Sequence, residues 1–266
     1  SMRETPDSVW LSLRSEASKL SDKEPQMAGF IEQHILRHNS FSEAIVFCLA
    51  SQTHHPSISF ETIAQVFHEV IQSEPQILFD LCLDLRAYLQ RDAACENLLM
   101  PLLYFKGFKA LQIQRISHKL WIQGRRFLAL FLQSQVAAKF SVDIHPGATL
   151  GSGIMLDHAT GLVIGETTVI GNNVSILHSV TLGGVGAESG NRHPKIESGV
   201  MISAGAKVLG NVSVGRGAKI GAGSLVIESV EPHATVVGVP AKVVGENQKE
   251  IPALEMNQHL QIVSPD

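Results

Sequence analysis

The sequence predicts an α+β protein, in which an N-terminal all-helical region precedes a left-handed parallel β-helix of hexapeptide repeats. Apolar residues recur at helical spacings of three and four up to about residue 140, and at a spacing of six beyond it. Glycine follows the same division, since three of the 22 glycines precede residue 140. We therefore expect a helical domain over 1–140, a β-helix over 141–245 and a flexible C-terminal tail over 246–266.

The helical region is predicted from short amphipathic stretches and their punctuation. Apolar residues within 63–71 share one helix face, and Pro75 stands where the first turn of a following helix tolerates proline. Pro101 opens a long apolar pattern that we expect to form one helix as far as Ile116. Gly124 interrupts the pattern before a last helix.

The β-helix is predicted from three aliphatic series with a constant step of six residues. They are Ile144, Leu150, Leu156 and Leu162; Ile164, Ile170, Ile176 and Leu182; and Ile196, Ile202, Val208, Val214, Ile220 and Val226. A step of six fits neither an amphipathic helix nor an alternating strand. It fits a β-helix in which each repeat is one short strand with a turn, and three repeats complete a coil. Glycines at the turns supply conformations that a Cβ would penalise.

Two interruptions of this rhythm mark the places where chemistry is expected. A two-residue slip follows Leu162, shortly after the pair Asp157-His158. A longer step of 14 residues follows Leu182 and contains the glycine-rich, charged stretch GGVGAESGNRHPK, which predicts an excursion loop over 184–195. Loops that interrupt a regular scaffold commonly carry function.

Composition excludes several classes of protein. A formal net charge of -4 argues against a nucleic-acid surface, which needs a basic excess. No apolar run is long enough to span a bilayer, and no signal peptide is visible, so we expect no membrane partner. The cysteines Cys48, Cys82 and Cys95 lack metal-site spacing and fit buried free thiols in a reducing compartment. We expect a cytoplasmic protein.

The motifs resemble those of the serine O-acetyltransferase family of hexapeptide acyltransferases. They are RDAA and PLLYFKGFKALQ in the helical region, then VDIHPGA, GIMLDHATG, VIGETTVIG, SVTLGG, NRHPKI and GAKVLGN. The resemblance spans residues 80–245 and implies transfer of the acetyl group of acetyl-CoA to the hydroxyl of L-serine, giving O-acetyl-L-serine for cysteine synthesis. Acetyl-CoA is then a co-substrate, with no tightly bound cofactor and no metal.

Acetyl transfer to an alcohol requires a base near the hydroxyl and donors that face the developing oxyanion. His158 is the candidate base, because imidazole titrates near neutral pH. The resemblance implies that Asp143, about one coil earlier, orients His158, and that His193 polarises or hydrogen-bonds the substrate. It also implies that the backbone of Gly183 and Gly184 approaches the thioester oxygen. From the residues alone, the two glycines also fit a simple turn into the loop.

Substrate recognition is assigned by the same resemblance. Asp92 and Asp157 are expected to receive the substrate ammonium, and Arg192 the carboxylate, which a guanidinium can bind bidentately. We expect Asp157 to point away from His158, because neighbouring residues on a strand face opposite sides. A helix-end cap or a solvated charge is the alternative for Asp92. Contacts to CoA are expected in the later coils, from Ala204, Gly205, Lys219 and Lys242, although lysines on regular coils are often merely solvated.

Three other functions stay open at this point. The acceptor could be a sugar or homoserine; the scaffold could be a γ-type zinc carbonic anhydrase, with ligands from His145, His158, His178 and His193; or it could be a non-catalytic scaffold that docks O-acetylserine sulfhydrylase.

The resemblance also implies partners. It implies feedback inhibition by L-cysteine, a homotrimer whose active site lies between adjacent subunits, and pairing of two trimers through the helical region. In the family, a C-terminal isoleucine inserts into the sulfhydrylase. This chain ends in IVSPD, so we expect either a truncated tail or a lost or altered docking.

Overall fold

The computed structural model describes residues 5–247 and 251–260, and helices fill its N-terminal half. The helices are α1 (Pro6–Lys23), α2 (Ala28–Ile31), α3 (Phe41–Thr53), α4 (Phe60–Ser73), α5 (Gln76–Arg91), α6 (Leu99–Tyr104), α7 (Lys106–Ile122) and α8 (Arg126–Phe140), with a 3-10 turn (Pro25–Met27) and a π turn (Glu32–Leu36) flanking α2. The side chains of Thr5, Ser40 and Ser59 cap the N-termini of α1, α3 and α4.

The long helix expected after Pro101 is two helices in the structure. Phe105 has an extended backbone, with φ -87° and ψ 107°, and separates α6 from α7. The apolar pattern runs on through this residue, which is why the sequence concealed the break. Gly124, as expected, lies in the interruption before the last helix of the region, α8.

The β-helix begins at β1 (Val142–Ile144), directly after Ser141, which ends α8 in a left-handed conformation. The other strands are β2 (Thr149–Leu150), β3 (Met155–Leu156), β4 (Leu162–Ile164), β5 (Val169–Ile170), β6 (Ser175–Ile176), β7 (Thr181–Gly183), β8 (Lys195–Ile196), β9 (Met201–Ile202), β10 (Lys207–Leu209), β11 (Ser213–Val214), β12 (Lys219–Ile220), β13 (Leu225–Val226), β14 (Ala234–Val237) and β15 (Lys242–Glu246).

The strands form three sheets, one for each side of the β-helix. The first sheet has the order β1-β4-β7-β10-β13, the second β11-β8-β5-β2, and the third β15-β14-β12-β9-β6-β3. All the pairs are parallel except β14 with β15. The aliphatic side chains of the six-residue series, Ile196, Ile202 and Val208 among them, are buried inside, except for the half-buried Leu150. The predicted fold, a helical region followed by a β-solenoid of about five turns, is confirmed.

Strand pairing locates both interruptions. Ile164 pairs with Leu182, 18 residues on, which is one regular coil. Ile144 pairs with Ile164, 20 residues on, so the first coil has two extra residues. They lie in the turn between β3 and β4, not after Leu162, which pairs with Val142 and is itself buried. The excursion loop leaves between β7 and β8, where it was expected.

Part of the expected tail packs against the β-helix. Residues 252–255 form a short helix, α9 (Pro252–Glu255), in which Pro252 and Ala253 are buried. The Ala253 carbonyl accepts a hydrogen bond of 2.7 Å from Ser175 Oγ, and the Ala253 amide donates to the Gly199 carbonyl. Residues 248–250 and 261–266, including the IVSPD end, lie outside the described residues.

Two sequence expectations concern the state of the cysteines and the absence of a membrane-spanning segment. The thiols of Cys48, Cys82 and Cys95 are free and buried. Burial raises the pKa of Cys48 and of Cys82 to about 12, so neither is a thiolate near neutral pH. Among the helices in the described part of the chain, none has the length and apolar character required to cross a bilayer.

Candidate active site

Asp157, His158 and His178 meet at one corner of the β-helix, which we call the histidine corner. Asp157 and His158 lie in the turn from β3 to β4, and His178 lies one coil further on, in the turn from β6 to β7. The His158 and His178 rings are 5.8 Å apart between centroids and meet edge to face. The His158 side chain is 73% exposed, so a ligand can reach it.

The expectation that Asp157 points away from His158 is wrong. Asp157 Oδ1 lies 3.7 Å from His158 Nε2. His158 has a left-handed backbone, with φ 57°, and the alternation of side chains along a strand ends at such a residue. The two neighbours therefore share one site.

Asp92 faces the same corner from the end of α5. It is the C-cap of this helix, and its Oδ1 accepts a hydrogen bond of 2.8 Å from the Ala94 amide, so the cap interpretation holds for it as well. Burial is the main cause that raises the pKa of Asp157; the His158 and His178 rings lower it, and the negative Asp92 adds to the rise. Two carboxylates that repel each other beside two imidazoles favour a cationic ligand.

His178 also belongs to this site, although its place in the sequence indicated only a possible zinc ligand. Leu156 pairs with Ile176 in the third sheet, and each is followed two residues later by a histidine. Coil register therefore predicts that His158 and His178 stack. His178 Nδ1 is buried without a hydrogen-bond partner among the described residues.

A second group lies at the turns from the first to the second sheet, which we call the loop corner. Thr167 is its centre. Its Oγ1 accepts hydrogen bonds of 3.0 Å from the amides of Arg192 and of His193, both in the excursion loop, and lies 2.8 Å from His193 Nδ1. The Thr167 amide donates to the same Nδ1 over 3.1 Å. Thr167 thus fixes both the backbone amide and the imidazole ring of His193.

These contacts assign the protonation state of His193. Because the Thr167 amide must donate, Nδ1 is an acceptor, and the proton of the neutral ring lies on Nε2. Burial, and next the adjacent Arg192, lower the pKa of His193, so the ring is neutral near pH 7. His193 is therefore built to donate a hydrogen bond through Nε2.

Glycines leave room for this ring. A Cβ on Gly165 would collide with the His193 ring, and a Cβ on Gly184 would lie 3.7 Å from His193 Nε2. The Arg192 guanidinium lies nearby, with Nη2 3.0 Å from Glu166 Oε2. Gly184 therefore lies near the His193 ring, whereas the Gly183 carbonyl accepts from the Gly210 amide as part of the coil.

Asp143 lies on the side of the loop corner, not beside His158. It stands between two buried residues of β1, faces outward, and accepts a hydrogen bond of 2.7 Å from Gln133 Nε2. Burial lowers the pKa of His145, and Glu166 and then Asp143 oppose this, so the three lie close together. Among the described residues, Asp157 has the one carboxylate within 4.0 Å of a His158 ring nitrogen. The expected pairing of His158 with Asp143 one coil earlier is therefore not formed within a single chain.

The two corners are separated by one side of the β-helix. A side is about six residues long, which corresponds to roughly 20 Å at about 3.3 Å per residue. Hence a molecule the size of an amino acid cannot touch His158 and His193 of the same chain.

The residues expected to contact CoA occupy three different settings. Ala204 and Gly205 lie at the histidine corner, one coil beyond His178, and the Gly205 amide donates to the His178 carbonyl over 3.0 Å. Lys219 is buried, and its Nζ donates to the His259 carbonyl over 2.6 Å, so a phosphate contact there requires His259 to move. Lys242 is exposed on β15. Within 5–247 and 251–260, no cluster of three or more His, Cys, Asp or Glu side chains is arranged to hold a metal.

Comparison with known proteins agrees with this architecture. A family model described as serine acetyltransferase, N-terminal, matches residues 9–113, and one described as bacterial transferase hexapeptide (six repeats) matches residues 193–228. The serine acetyltransferase of Escherichia coli strain K12 is 51% identical over 251 residues, which cover 94% of this chain and 92% of that protein.

Three solved structures of relatives contain small molecules. A serine acetyltransferase in complex with cysteine has a TM-score of 0.94 and 48% identity, covering 96% of this chain and all of that one. The Neisseria gonorrhoeae enzyme in complex with serine has a TM-score of 0.86 and 49% identity, covering 88% and 96% of the two chains. The Brucella abortus strain S19 enzyme in complex with coenzyme A has a TM-score of 0.87 and 47% identity, covering 90% and 96%. On identity and coverage together, this chain belongs to the serine acetyltransferase family.

Proposed function

We propose that this chain transfers the acetyl group of acetyl-CoA to the hydroxyl of L-serine, giving O-acetyl-L-serine and CoA in cysteine synthesis. The observation that carries the proposal is the histidine corner, where Asp92 and Asp157 flank an exposed imidazole. The carboxylates suit the ammonium of an amino acid, and the imidazole suits the hydroxyl, whose oxygen is three bonds from the ammonium nitrogen. Relatives bound to serine and to coenzyme A support the choice of substrates.

The reaction follows from these roles as a direct attack. With the ammonium held by Asp92 and Asp157, the serine hydroxyl attacks the thioester carbonyl while His158 removes its proton. The tetrahedral intermediate carries a negative oxygen, which backbone donors such as the Gly184 amide stabilise. Its collapse breaks the carbon–sulfur bond, and the proton on His158 goes to the departing CoA sulfur. No metal and no covalent intermediate is required.

The loop corner of a neighbouring copy completes this site. In that arrangement Arg192 binds the serine carboxylate, and the Nε2 proton of His193 hydrogen-bonds the substrate. Asp143 reaches His158 in the same way and fixes its tautomer, because Asp143 lies beside the loop corner of its own chain. A closed ring of three β-helices brings each histidine corner to the loop corner of the next chain.

Exposed apolar side chains support a further interface in the helical region. Phe127 is 91% exposed and Ile122 64%. Such side chains on helices that already pack on one face suit pairing of two trimers into a hexamer. Docking of a sulfhydrylase depends on residues 261–266, which lie outside the described part of the chain.

Binding of CoA and of L-cysteine follows from the same corner. Ala204 and Gly205 lie along the edge that carries His158 and are proposed to contact CoA. Lys242 is proposed to bind a phosphate group of CoA, and Lys219 could do so once His259 has moved. L-Cysteine shares the ammonium and carboxylate of serine, so Asp92, Asp157 and Arg192 would bind it as an inhibitor that competes with serine. A relative bound to cysteine supports this.

The test of the proposed function is serine-dependent release of CoA thiol from acetyl-CoA, with a parallel measurement of bound zinc. We expect release with L-serine that far exceeds release with homoserine or a sugar. Release with one of those acceptors alone would change the substrate. Tightly bound zinc with no serine-dependent release would overturn the proposal in favour of a zinc enzyme.

The contacts of Thr167 lead to a prediction about serine binding. Thr167→Val removes the hydroxyl that holds the Arg192 and His193 amides and the His193 ring, at almost constant volume. We expect the KM for serine to rise about tenfold, the equivalent of one to two lost hydrogen bonds, with little change in the KM for acetyl-CoA. Steady-state kinetics with each substrate varied in turn measure both values.

The adjacent Thr168 provides a matched control. Its Oγ1 is buried without a hydrogen-bond partner among the described residues, so Thr168→Val makes the same chemical change with no contact to lose. We expect wild-type kinetics and equal or greater thermal stability from this variant. Equal effects of the two substitutions on the KM for serine would contradict the role of Thr167.

A further inference from the structure

The third sheet has an open edge directly beside the histidine corner. β3 is its outermost strand, and the amides of Met155 and Asp157 donate to the carbonyls of Val174, which directly precedes β6, and of Ile176 in β6, over 3.0 and 2.8 Å. In a parallel ladder, the amide and carbonyl of the residue between them point the other way. Leu156 therefore presents both backbone groups where the sheet has no further strand. Leu156 is buried, so both groups need partners from elsewhere.

Helix α5 supplies those partners through one hydroxyl. The Leu156 amide donates to Tyr88 Oη over 3.1 Å, and Tyr88 Oη donates to the Leu156 carbonyl over 2.8 Å. One turn earlier on the helix, Asp84 Oδ1 accepts from the Ile154 amide over 2.9 Å. The phenol thus occupies the place of a missing strand, and it is 1% exposed.

The position of Tyr88 links the two carboxylates that are proposed to hold the substrate ammonium. The Tyr88 carbonyl accepts from the amide of Asp92 over 3.0 Å, at the end of the same helix. On the strand side, Leu156 directly precedes Asp157. The hydroxyl therefore joins the helix end that carries one carboxylate to the strand end that carries the other.

No water can replace this hydroxyl, because α7 closes the remaining side. A Cβ built on Gly107 would collide with the Leu156 carbonyl oxygen and would lie 3.1 Å from Tyr88 Oη. The ring of Phe108 packs against the Tyr88 ring edge to face, with centroids 6.0 Å apart. Removal of the hydroxyl would leave the Leu156 amide and carbonyl buried and unpaired, and the strand end could regain partners only by shifting.

We propose that Tyr88 is a positioning residue for the acetyl acceptor. Its hydroxyl sets the separation between Asp92 and Asp157 and the direction in which the chain enters the turn with His158. The phenol is buried behind the strand and contacts no substrate. The inference rests on the proposed function, since the separation of the two carboxylates is important only if both bind the same ammonium group.

The test is Tyr88→Phe in the full chain, with each substrate varied in turn. We expect the KM for serine to rise about tenfold, as for a buried hydrogen-bonded group left unpaired, and the KM for acetyl-CoA to stay within about twofold. KM does not depend on the folded fraction, so a partly folded preparation still reports the difference.

Three further variants separate positioning from stability. Tyr104→Phe makes the same chemical change at the exposed tyrosine and should have no effect. Phe67→Leu, in the core of α4, should lower Tm without changing either KM. Gly107→Ala should reproduce the selective rise in the KM for serine, because its methyl group wedges against the Leu156 carbonyl from the other side.

The outcomes distinguish the two levels of the inference. Serine-dependent release by wild type, with unchanged kinetics or equal changes in both KM values for Tyr88→Phe and Gly107→Ala, overturns the role of Tyr88 alone. A wild-type chain without serine-dependent release overturns the proposed function, and the role of Tyr88 with it.

Discussion

His158→Ala is expected to lower kcat for serine-dependent CoA release by about 10²–10⁴-fold, the usual contribution of a general base. The serine hydroxyl is a poor nucleophile until its proton is removed, and His158 is the exposed imidazole at the corner that holds both carboxylates. Its KM values should change little, because Asp92 and Asp157, the proposed contacts to the substrate ammonium, remain in place. Thiol release at saturating concentrations of both substrates measures the effect.

The exposure of His158 allows two controls on this result. Since the side chain is 73% exposed, its removal should leave the fold and Tm intact, and added imidazole should enter the space and restore part of the rate. Asp157→Asn should instead act mainly through the KM for serine, because that carboxylate is proposed to bind the ammonium. An undiminished rate in His158→Ala would remove His158 as the base.

The β-helix was predictable because its buried column repeats in the sequence itself. Ile196, Ile202 and Val208 are each the inward residue of a successive side, so a step of six reports the fold directly. The same regularity misled at Leu162, which continues the step after Leu156 by coincidence and pairs with Val142. The break at Phe105 was invisible for a related reason, since an apolar residue can end a helix without disturbing the pattern.

The chemistry of the site was predictable by residue type but not by arrangement. Whether Asp157 contacts His158 depends on the positive φ angle of His158, and the sequence does not reveal a positive φ at a residue other than glycine. The distance between Asp143 and His158 depends on which side of a coil each occupies. His178 could have been found, because it repeats the register of His158 one coil on.

Tyr88 illustrates a contact that no sequence pattern can report. An aromatic residue on the inner face of an amphipathic helix is typical of a packed core, and Tyr88 is indeed buried there. Its hydroxyl matters because it pairs with the open edge of β3, and that edge exists because the β-helix begins at that coil. The start of a repeat leaves backbone groups unpaired, and the helical region covers them.

Two inactive variants are expected to restore each other when they are assembled together. His158→Ala disables the histidine corner, and Arg192→Ala should lower kcat/KM for serine by about 30-fold or more through loss of the carboxylate clamp. In a ring where each site joins one histidine corner to the next chain's loop corner, some mixed sites receive both intact groups. Co-expression with two different tags, and purification through both, isolates the mixed assemblies.

The size of the recovery reports the geometry of the site. Random mixing leaves about a quarter to a third of the sites with both intact groups, so kcat/KM should return to about that fraction of wild type. His158→Ala mixed with Asp157→Asn is the matched control, and it should show no recovery, because these two residues must come from the same chain. Absence of recovery in the first mixture would place the whole site within one chain. That result would conflict with the roughly 20 Å that one side of the β-helix puts between the two corners.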